Sequence, residues 1–171
     1  MSANHAAFNL IFRFVENYVS PVAGRISAQR HVMAIRDGFI SAMPFMIVGS
    51  FLLVFAYPPF SPDTTWGFAR AWLDMAKQFE GQILTPFDMT MGIMSIYICA
   101  AIAYNLGKHY VNSHQLDPFM CAMLSLMAFL LIAAPKTKGA MPVDSLGGTG
   151  IFTAILVAIY CVEMMRFLKA H

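Results

Sequence analysis

The sequence carries little charge for its length. Of its 171 residues, 12% are Asp, Glu, Lys or Arg, whereas a soluble domain carries roughly a quarter. Hydrophobic residues make up 58%, and the few charges cluster between long apolar runs. A helix on a soluble core is apolar on one face only, but a lipid-exposed helix is apolar all round. The scarcity and placement of charge therefore predict an all-α integral membrane protein.

Cysteine is also scarce, and the net charge is small. The three cysteines, Cys99, Cys121 and Cys161, lie in separate apolar runs and form no Cys-x-x-Cys motif. An odd count without that motif indicates neither a disulfide framework nor a zinc site. A net charge of +2 is too small to indicate a nucleic-acid partner. We expect no cofactor.

The sequence lacks the residue patterns that catalysis requires. Gly147–Gly150 is not followed by the Lys-Ser/Thr pair of a phosphate-binding loop, so we interpret it as a glycine turn before a span. His109 and His114 are five residues apart and do not share a helical face, and with Asp117 they are interpreted as solvated loop residues. No nucleophile stands beside a base. We predict no catalytic residue and no metal site.

About four apolar stretches are suited to cross a bilayer, which requires about 20 residues at a rise of about 1.5 Å each. Only helices and closed barrels satisfy every backbone hydrogen bond within lipid. These stretches lack the alternating polarity of barrel strands, so they are predicted to be helices. The last three are short and would require bilayer thinning or packing against partners. The predicted spans are residues 38–57, 89–106, 118–134 and 146–162.

Two further segments are predicted to be amphipathic interfacial helices, near residues 6–20 and 64–79. Each has apolar side chains at helical spacing on one side and polar ones on the other. The second contains both tryptophans, which are typical of a membrane interface. We interpret Gly81 and Pro86 as separating it from the next span. The sequence leaves open whether this helix lies on the outer surface or packs against other spans.

Lysine and arginine predict the orientation of the chain. With the spans above, seven of them fall on one side of the membrane and four on the other. The positive-inside rule then places both termini in the cytoplasm. The larger group is Arg13, Arg25, Arg30, Arg36, Lys108, Arg166 and Lys169, and the smaller group is Arg70, Lys77, Lys136 and Lys138.

Charged residues at the edges of the spans are the candidate site residues, as structural charges: Arg36, Asp37, Asp88, Glu163 and Arg166. Arg36 and Asp37 are either interfacial anchors or part of an ion-pair network near a moving joint. Asp88 is predicted to favour the N-terminus of the second span. Glu163 and Arg166 are three apart and can pair on a helix, for roughly 0–1 kcal/mol if exposed. No ionisable residue lies near mid-span, so no substrate-binding residue is identified.

Three stretches, in this order, carry a family resemblance. They are AIRDGFISAMPFMIVGSFLLVF (34–55), TMGIMSIYICAAIAYNLGKHY (90–110) and SLGGTGIFTAILVAIYCVEMMRF (145–167). Together they resemble the N-terminal part of the membrane-embedded enzyme IIC components of the bacterial phosphoenolpyruvate-dependent sugar phosphotransferase system (PTS), of the lactose, cellobiose and chitobiose type.

The resemblance implies a role for the chain as well as a fold. Family members are longer, and their N-terminal part forms the scaffold and the dimer interface. Their sugar cavity, with its His and Glu, belongs to the C-terminal part, so no histidine of this chain inherits that role. The resemblance further implies a multi-pass protein of the bacterial inner membrane, a homodimer, and enzymes IIB and IIA as partners. A disaccharide would bind only if a C-terminal half is supplied.

Two functions are open at this point. The first is an enzyme IIC-type permease component for a disaccharide such as cellobiose or chitobiose, in a short or truncated form. The alternative is a non-transporting membrane scaffold or gene remnant that only self-associates or binds other membrane helices. Enzymatic activity is undecided, because the family is the membrane part of a sugar phosphotransferase while this chain has no recognisable catalytic residue. We treat residues 1–171 as a single membrane domain.

Overall fold

All regular structure in the described part of the chain is helical. The structure is a computed structural model, and it describes residue 24 and residues 27–134 and 145–170. Its helices are α1 (Arg30–Ala56), α2 (Gly67–Thr90), α3 (Met94–His114), α4 (Pro118–Ala133) and α5 (Ile151–Ala170), with a 3-10 turn at Gly148–Gly150. The prediction of an all-α membrane protein is confirmed. The predicted helix near residues 6–20 lies outside the described residues.

Three helical runs are long and apolar enough to cross a membrane: Arg30–Ala56, Gly67–Ser113 and Gly148–Ala170. Helix α4 is more apolar than any of these but has only 16 residues. The predicted spans 38–57, 118–134 and 146–162 each coincide with a helix, but α1 begins earlier and α5 ends later than predicted. The reason is that hydropathy detects the apolar stretch, whereas the helical hydrogen bonds continue into the charged turns beside it.

The prediction for residues 64–106 is partly wrong. Gly81 and Pro86 do not end the helix near residue 79, because α2 continues through both of them to Thr90. Threonine hydroxyls bond carbonyls around the proline: Thr85 donates to the Gly81 carbonyl at 2.8 Å and Thr90 to the Pro86 carbonyl at 3.0 Å. Neither bond reaches the Gln82 carbonyl, which is the one that Pro86 deprives of its helical donor, so the threonines do not replace the lost hydrogen bond. The span predicted at 89–106 is instead α3, which begins at Met94 and continues to His114.

Helix α3 is the central element. It packs against α1, α4 and α5, whereas α2 packs against α1. Its buried face repeats every four residues, in the order Ile98, Ile102, Leu106 and Tyr110, which is the spacing that places side chains on one side of a helix. The last of these, Tyr110, lies near the C-terminal end of α3 and belongs to the site described below.

Small residues let α1 approach α3 closely. Ala34, Gly38 and Ala42 are buried at four-residue spacing along α1, the pattern that allows two membrane helices to pack backbone against backbone. A Cβ atom at Gly38 would lie only 2.9 Å from the backbone nitrogen of Ile102. The two helices could not keep this separation with any larger residue at position 38.

The turn before α5 is fixed to the start of α3. The backbone nitrogen of Ser95 donates to the Leu146 carbonyl at 3.0 Å, and the buried Ser95 hydroxyl bonds the same oxygen. A Cβ at Gly150 would lie 1.9 Å from the Ser145 carbonyl oxygen, so the turn requires glycine there. The predicted glycine turn before the last span is confirmed as a 3-10 turn.

Helix α2 begins against the end of α1. The indole nitrogen of Trp72 donates to the Phe55 carbonyl at 3.3 Å, and the two rings lie 5.7 Å apart. Phe60 contacts Trp66 and Trp72 edge-on. The tryptophan-rich start of α2 therefore packs against α1, which answers the placement that the sequence left open.

Large apolar side chains cover the outside of α1, α4 and α5. Among the most exposed are Phe51, Leu131 and Phe152, at 64%, 71% and 71%. In water such a surface would be unfavourable, but in lipid it is the expected outer face of a helix.

We predict that Gly38→Ala destabilises the protein, by about 1–3 kcal/mol, because α1 and α3 must move apart to admit the methyl group. The measurement is reversible unfolding in mixed detergent micelles. Gly81→Ala is the matched control, since a Cβ there meets nothing within 4 Å. Equal stability of the two variants would contradict the packing described here.

Candidate functional site

One carboxylate ties together the ends of three helices. Glu163 on α5 accepts a hydrogen bond from the Tyr110 hydroxyl on α3 at 2.6 Å. The same oxygen, Oε1, lies 2.9 Å from Nε2 of His31 on α1. Its second oxygen, Oε2, accepts from the Arg166 guanidinium at 2.7 Å. We call these four residues the Glu163 cluster.

Helix geometry brings the four residues together. His31 lies in the first turn of α1, and Tyr110 lies near the last turn of α3. Glu163 and Arg166 are one turn apart on α5, so their side chains share a face. The cluster therefore joins the start of α1 to the ends of α3 and α5, and all three helices must keep their mutual register for it to form.

Tyr110 is the buried centre of the cluster. Only 2% of its surface is exposed. The Arg166 carbon Cζ lies 5.1 Å from the ring centroid, and the Arg30 Cζ lies 5.6 Å from it. Arg166 also donates to the Tyr110 oxygen at 3.2 Å. The ring thus receives two guanidinium groups by cation–π contact, while its hydroxyl donates to the carboxylate.

The cluster is half-buried, so its hydrogen bonds contribute more to stability than those of a fully exposed ion pair. The side chains of His31 and Glu163 are 33% and 30% exposed. An ionised carboxylate only accepts hydrogen bonds, so the nitrogen of His31 that faces it carries a proton. Removing Glu163 would leave the buried Tyr110 hydroxyl and the imidazole without their acceptor, and such a loss costs more than an exposed ion pair contributes.

The predicted site residues fall in three places. Glu163 and Arg166 form an ion pair within the cluster. Arg36 and Asp37 pair with each other at 2.8 Å on a more exposed part of α1. Asp88 lies in the last turn of α2, not at the start of a span. The expectation that its carboxylate favours a helix N-terminus is therefore wrong, because the break between α2 and α3 falls after Thr90.

Sequence reasoning missed His31 and Tyr110 as members of a cluster. His31 is 132 residues from Glu163, and no spacing rule connects them. Tyr110 carried a signal, because it continues the four-residue apolar spacing of Ile102 and Leu106 to the polar end of α3. A buried tyrosine at that point requires a partner for its hydroxyl.

The residues of the cluster do not form a metal-ligand set. Within the described ranges, no group of three His, Cys, Asp or Glu side chains is placed to hold a metal ion. Cys99, Cys121 and Cys161 are buried free thiols in the interior of the helix bundle. The arrangement is suited to fixing helices against one another at the edge of the membrane.

Residues 36–170 match the family model described as phosphotransferase system, EIIC. The chain belongs to this family. The EIIC chain is 34% identical to the cellobiose-specific EIIC component of Geobacillus stearothermophilus, over 90% of its own length and 35% of that protein. It is also 34% identical to the lichenan permease IIC component of Bacillus subtilis strain 168, over 94% of its length and 36% of that protein.

A solved structure has the same fold. The EIIC chain is similar to the crystal structure of the transporter ChbC, the IIC component of the N,N'-diacetylchitobiose-specific phosphotransferase system, with a TM-score of 0.73 and 36% identity. The similarity covers 91% of this chain and 37% of ChbC, in its N-terminal part. The EIIC chain therefore spans about a third of the length of the relatives it matches.

We predict that Glu163→Ala lowers the free energy of unfolding by about 1–3 kcal/mol, because the buried Tyr110 hydroxyl and the half-buried His31 imidazole lose this acceptor. Asp37→Ala is the control, since it breaks only an exposed pair worth roughly 0–1 kcal/mol. The measurement is again unfolding in mixed micelles. Equal losses for the two variants would contradict the role given to Glu163.

Proposed function

We propose that this chain is part of the membrane permease component, of enzyme IIC type, of a phosphoenolpyruvate-dependent sugar phosphotransferase system. The observation that carries the proposal is the similarity to ChbC, which combines 36% identity with a TM-score of 0.73 over nine-tenths of the chain. In this proposal residues 1–171 form one membrane domain, the N-terminal scaffold of the permease. The Glu163 cluster fixes three of its helices at one membrane face.

The proposed substrate is a disaccharide such as cellobiose or chitobiose. Relatives named for cellobiose and N,N'-diacetylchitobiose support this class. The charged side chains of α1, α3 and α5 lie toward helix ends, and α4 has none. Helix α2 carries charges along its length, but it is amphipathic and packs against the end of α1. A sugar site at mid-membrane depth requires polar groups there. We therefore place the sugar cavity in a C-terminal part that completes the permease, and we assign no sugar ligand to this chain.

The proposed orientation places the Glu163 cluster at the cytoplasmic face of a bacterial inner membrane. The excess of Lys and Arg on that side supports it. Both termini would then be cytoplasmic, and enzymes IIB and IIA would be the soluble partners on that face. The exposed apolar surfaces of α1 and α4 are available for a homodimer contact or for the remaining spans.

The proposal is tested with a chimera. Residues 36–170 of this chain replace the matching segment of the cellobiose-specific EIIC component of Geobacillus stearothermophilus, in a strain without a cellobiose permease. We expect cellobiose uptake above background, because the segment supplies an equivalent scaffold. The matched control carries Gly38→Leu, which blocks the α1–α3 approach and is expected to abolish uptake.

One outcome of this experiment would contradict the proposal, and a second graft tests where the sugar site lies. A chimera present in the membrane at the parent's level but without uptake would favour the alternative of a non-transporting scaffold. The same segment grafted into ChbC should give uptake of N,N'-diacetylchitobiose, following the recipient. If uptake instead followed the grafted segment, the sugar site would include this part of the permease.

A further inference from the structure

Positive charge exceeds negative charge at the end of the bundle where the Glu163 cluster lies. Two of the acids there are paired, Asp37 with Arg36 and Glu163 with Arg166. The third, Asp117, accepts from the Phe119 amide at 2.9 Å and caps α4. The charged residues that the structure describes there are Arg30, Arg36, Lys108, Arg166 and Lys169 against Asp37, Asp117 and Glu163.

Three of these cations have no carboxylate partner among the described residues. Arg30 faces the Tyr110 ring, and Lys108 faces the Tyr104 ring at 5.7 Å. Lys169 donates to the backbone carbonyl of Gln115 at the end of α3. A ring or a carbonyl orients a cation but does not neutralise it, so the surface keeps its positive potential.

Arg166 also keeps donors to spare. Its contacts with Glu163 and with the Tyr110 hydroxyl both use Nη1. A guanidinium has five N–H donors in a planar fork that matches a phosphate. Nε and Nη2 make no hydrogen bond within the ranges that the structure describes, and the side chain is 40% exposed.

An apolar groove runs along α5 to this guanidinium. It has a volume of about 390 Å³. Tyr160 and Phe167 in its wall are 65% and 61% exposed, and Lys169 lies one turn beyond Arg166. The residues that line it are Tyr160, Glu163, Met164, Arg166, Phe167 and Ala170. The groove therefore joins apolar side chains to the guanidinium of Arg166, and Lys169 lies just beyond its lining, at the Gln115 carbonyl.

We infer that an anionic phospholipid occupies this groove, with its phosphate bound by Arg166 and Lys169 near Arg30 and an acyl chain along Tyr160 and Phe167. Basic residues at the membrane edge attract anionic headgroups, and the wall of apolar side chains fits a chain but not a free phosphate. A soluble acidic protein would use the charges but leave the lipid-side groove empty. The inference does not depend on the proposed transport function.

The test measures lipid retention by the purified full chain in an uncharged detergent. Phosphatidylglycerol and phosphatidylcholine with identical acyl chains are added, and native mass spectrometry counts the bound molecules of each. We expect phosphatidylglycerol to be retained in preference. Arg30→Gln/Lys169→Gln should lower its apparent affinity about fivefold or more, and Arg30→Lys/Lys169→Arg should restore it.

The matched control is Arg70→Gln/Lys77→Gln, which removes two cations from α2 and should leave retention unchanged. Arg30→Gln alone breaks no hydrogen bond among the described residues but removes the cation–π contact with Tyr110, so its unfolding in micelles is measured beside retention. A partial loss of lipid at unchanged stability reports binding. Equal retention of the two lipids, or an equal loss in the α2 control, would overturn the inference. So would displacement of the lipid by excess soluble glycerol 3-phosphate, which would indicate a free-phosphate site.

Discussion

The close approach of α1 and α3 at Gly38 is the contact on which the rest of the bundle depends. In lipid no hydrophobic force drives helices together, so association relies on packing and on interhelical hydrogen bonds. The glycine brings the two helices into dense van der Waals contact, because both the side chain and the backbone of Ile102 lie where a Cβ at position 38 would be. Helix α3 is then held on one side by α1 and on the others by α4 and α5, and α2 follows by packing against α1.

The Glu163 cluster forms only when α1 and α3 keep the register that the contact at Gly38 imposes. Tyr110 lies two helical turns beyond Ile102 on the same buried face of α3, and His31 lies two turns before Gly38 on α1. A displacement of α1 from α3 would therefore separate His31 from the carboxylate that Tyr110 also bonds. One acidic residue thereby accepts hydrogen bonds from donors on two other helices, at a half-buried position.

The sequence was enough to predict the all-α membrane class, most of the apolar helices and the family. It was not enough where tertiary contacts determine a helix boundary or a site residue. Hydropathy located α1, α4 and α5 because lipid exposure requires continuous apolar runs. It did not predict that α2 passes Pro86, because a proline usually marks a helix boundary in a sequence, and only the structure shows the helix continuing. In the site, spacing alone predicted that Glu163 and Arg166 can pair. It did not predict His31, whose contact depends on how α1 and α5 are each placed against α3.

The fold and the family together explain why large apolar surfaces are exposed on this chain. The chain spans about a third of its relatives, and in our proposal further spans, a second copy and lipid all contact it. A scaffold of this kind must keep its own helices in register while its outer faces contact other helices and lipid. The close contacts between α1 and α3, the buried apolar core around α3 and the carboxylate at one end together meet that requirement.

The most direct test of this account is a double-mutant cycle between Gly38→Ala and Glu163→Ala, measured as the free energy of unfolding in mixed micelles. If the α1–α3 contact holds the Glu163 cluster in register, the Glu163 substitution costs less once Gly38 has been replaced. The predicted coupling free energy is about 0.5 kcal/mol or more. Strict additivity of the two losses would contradict the account, because it would mean that the cluster forms independently of the helix contact.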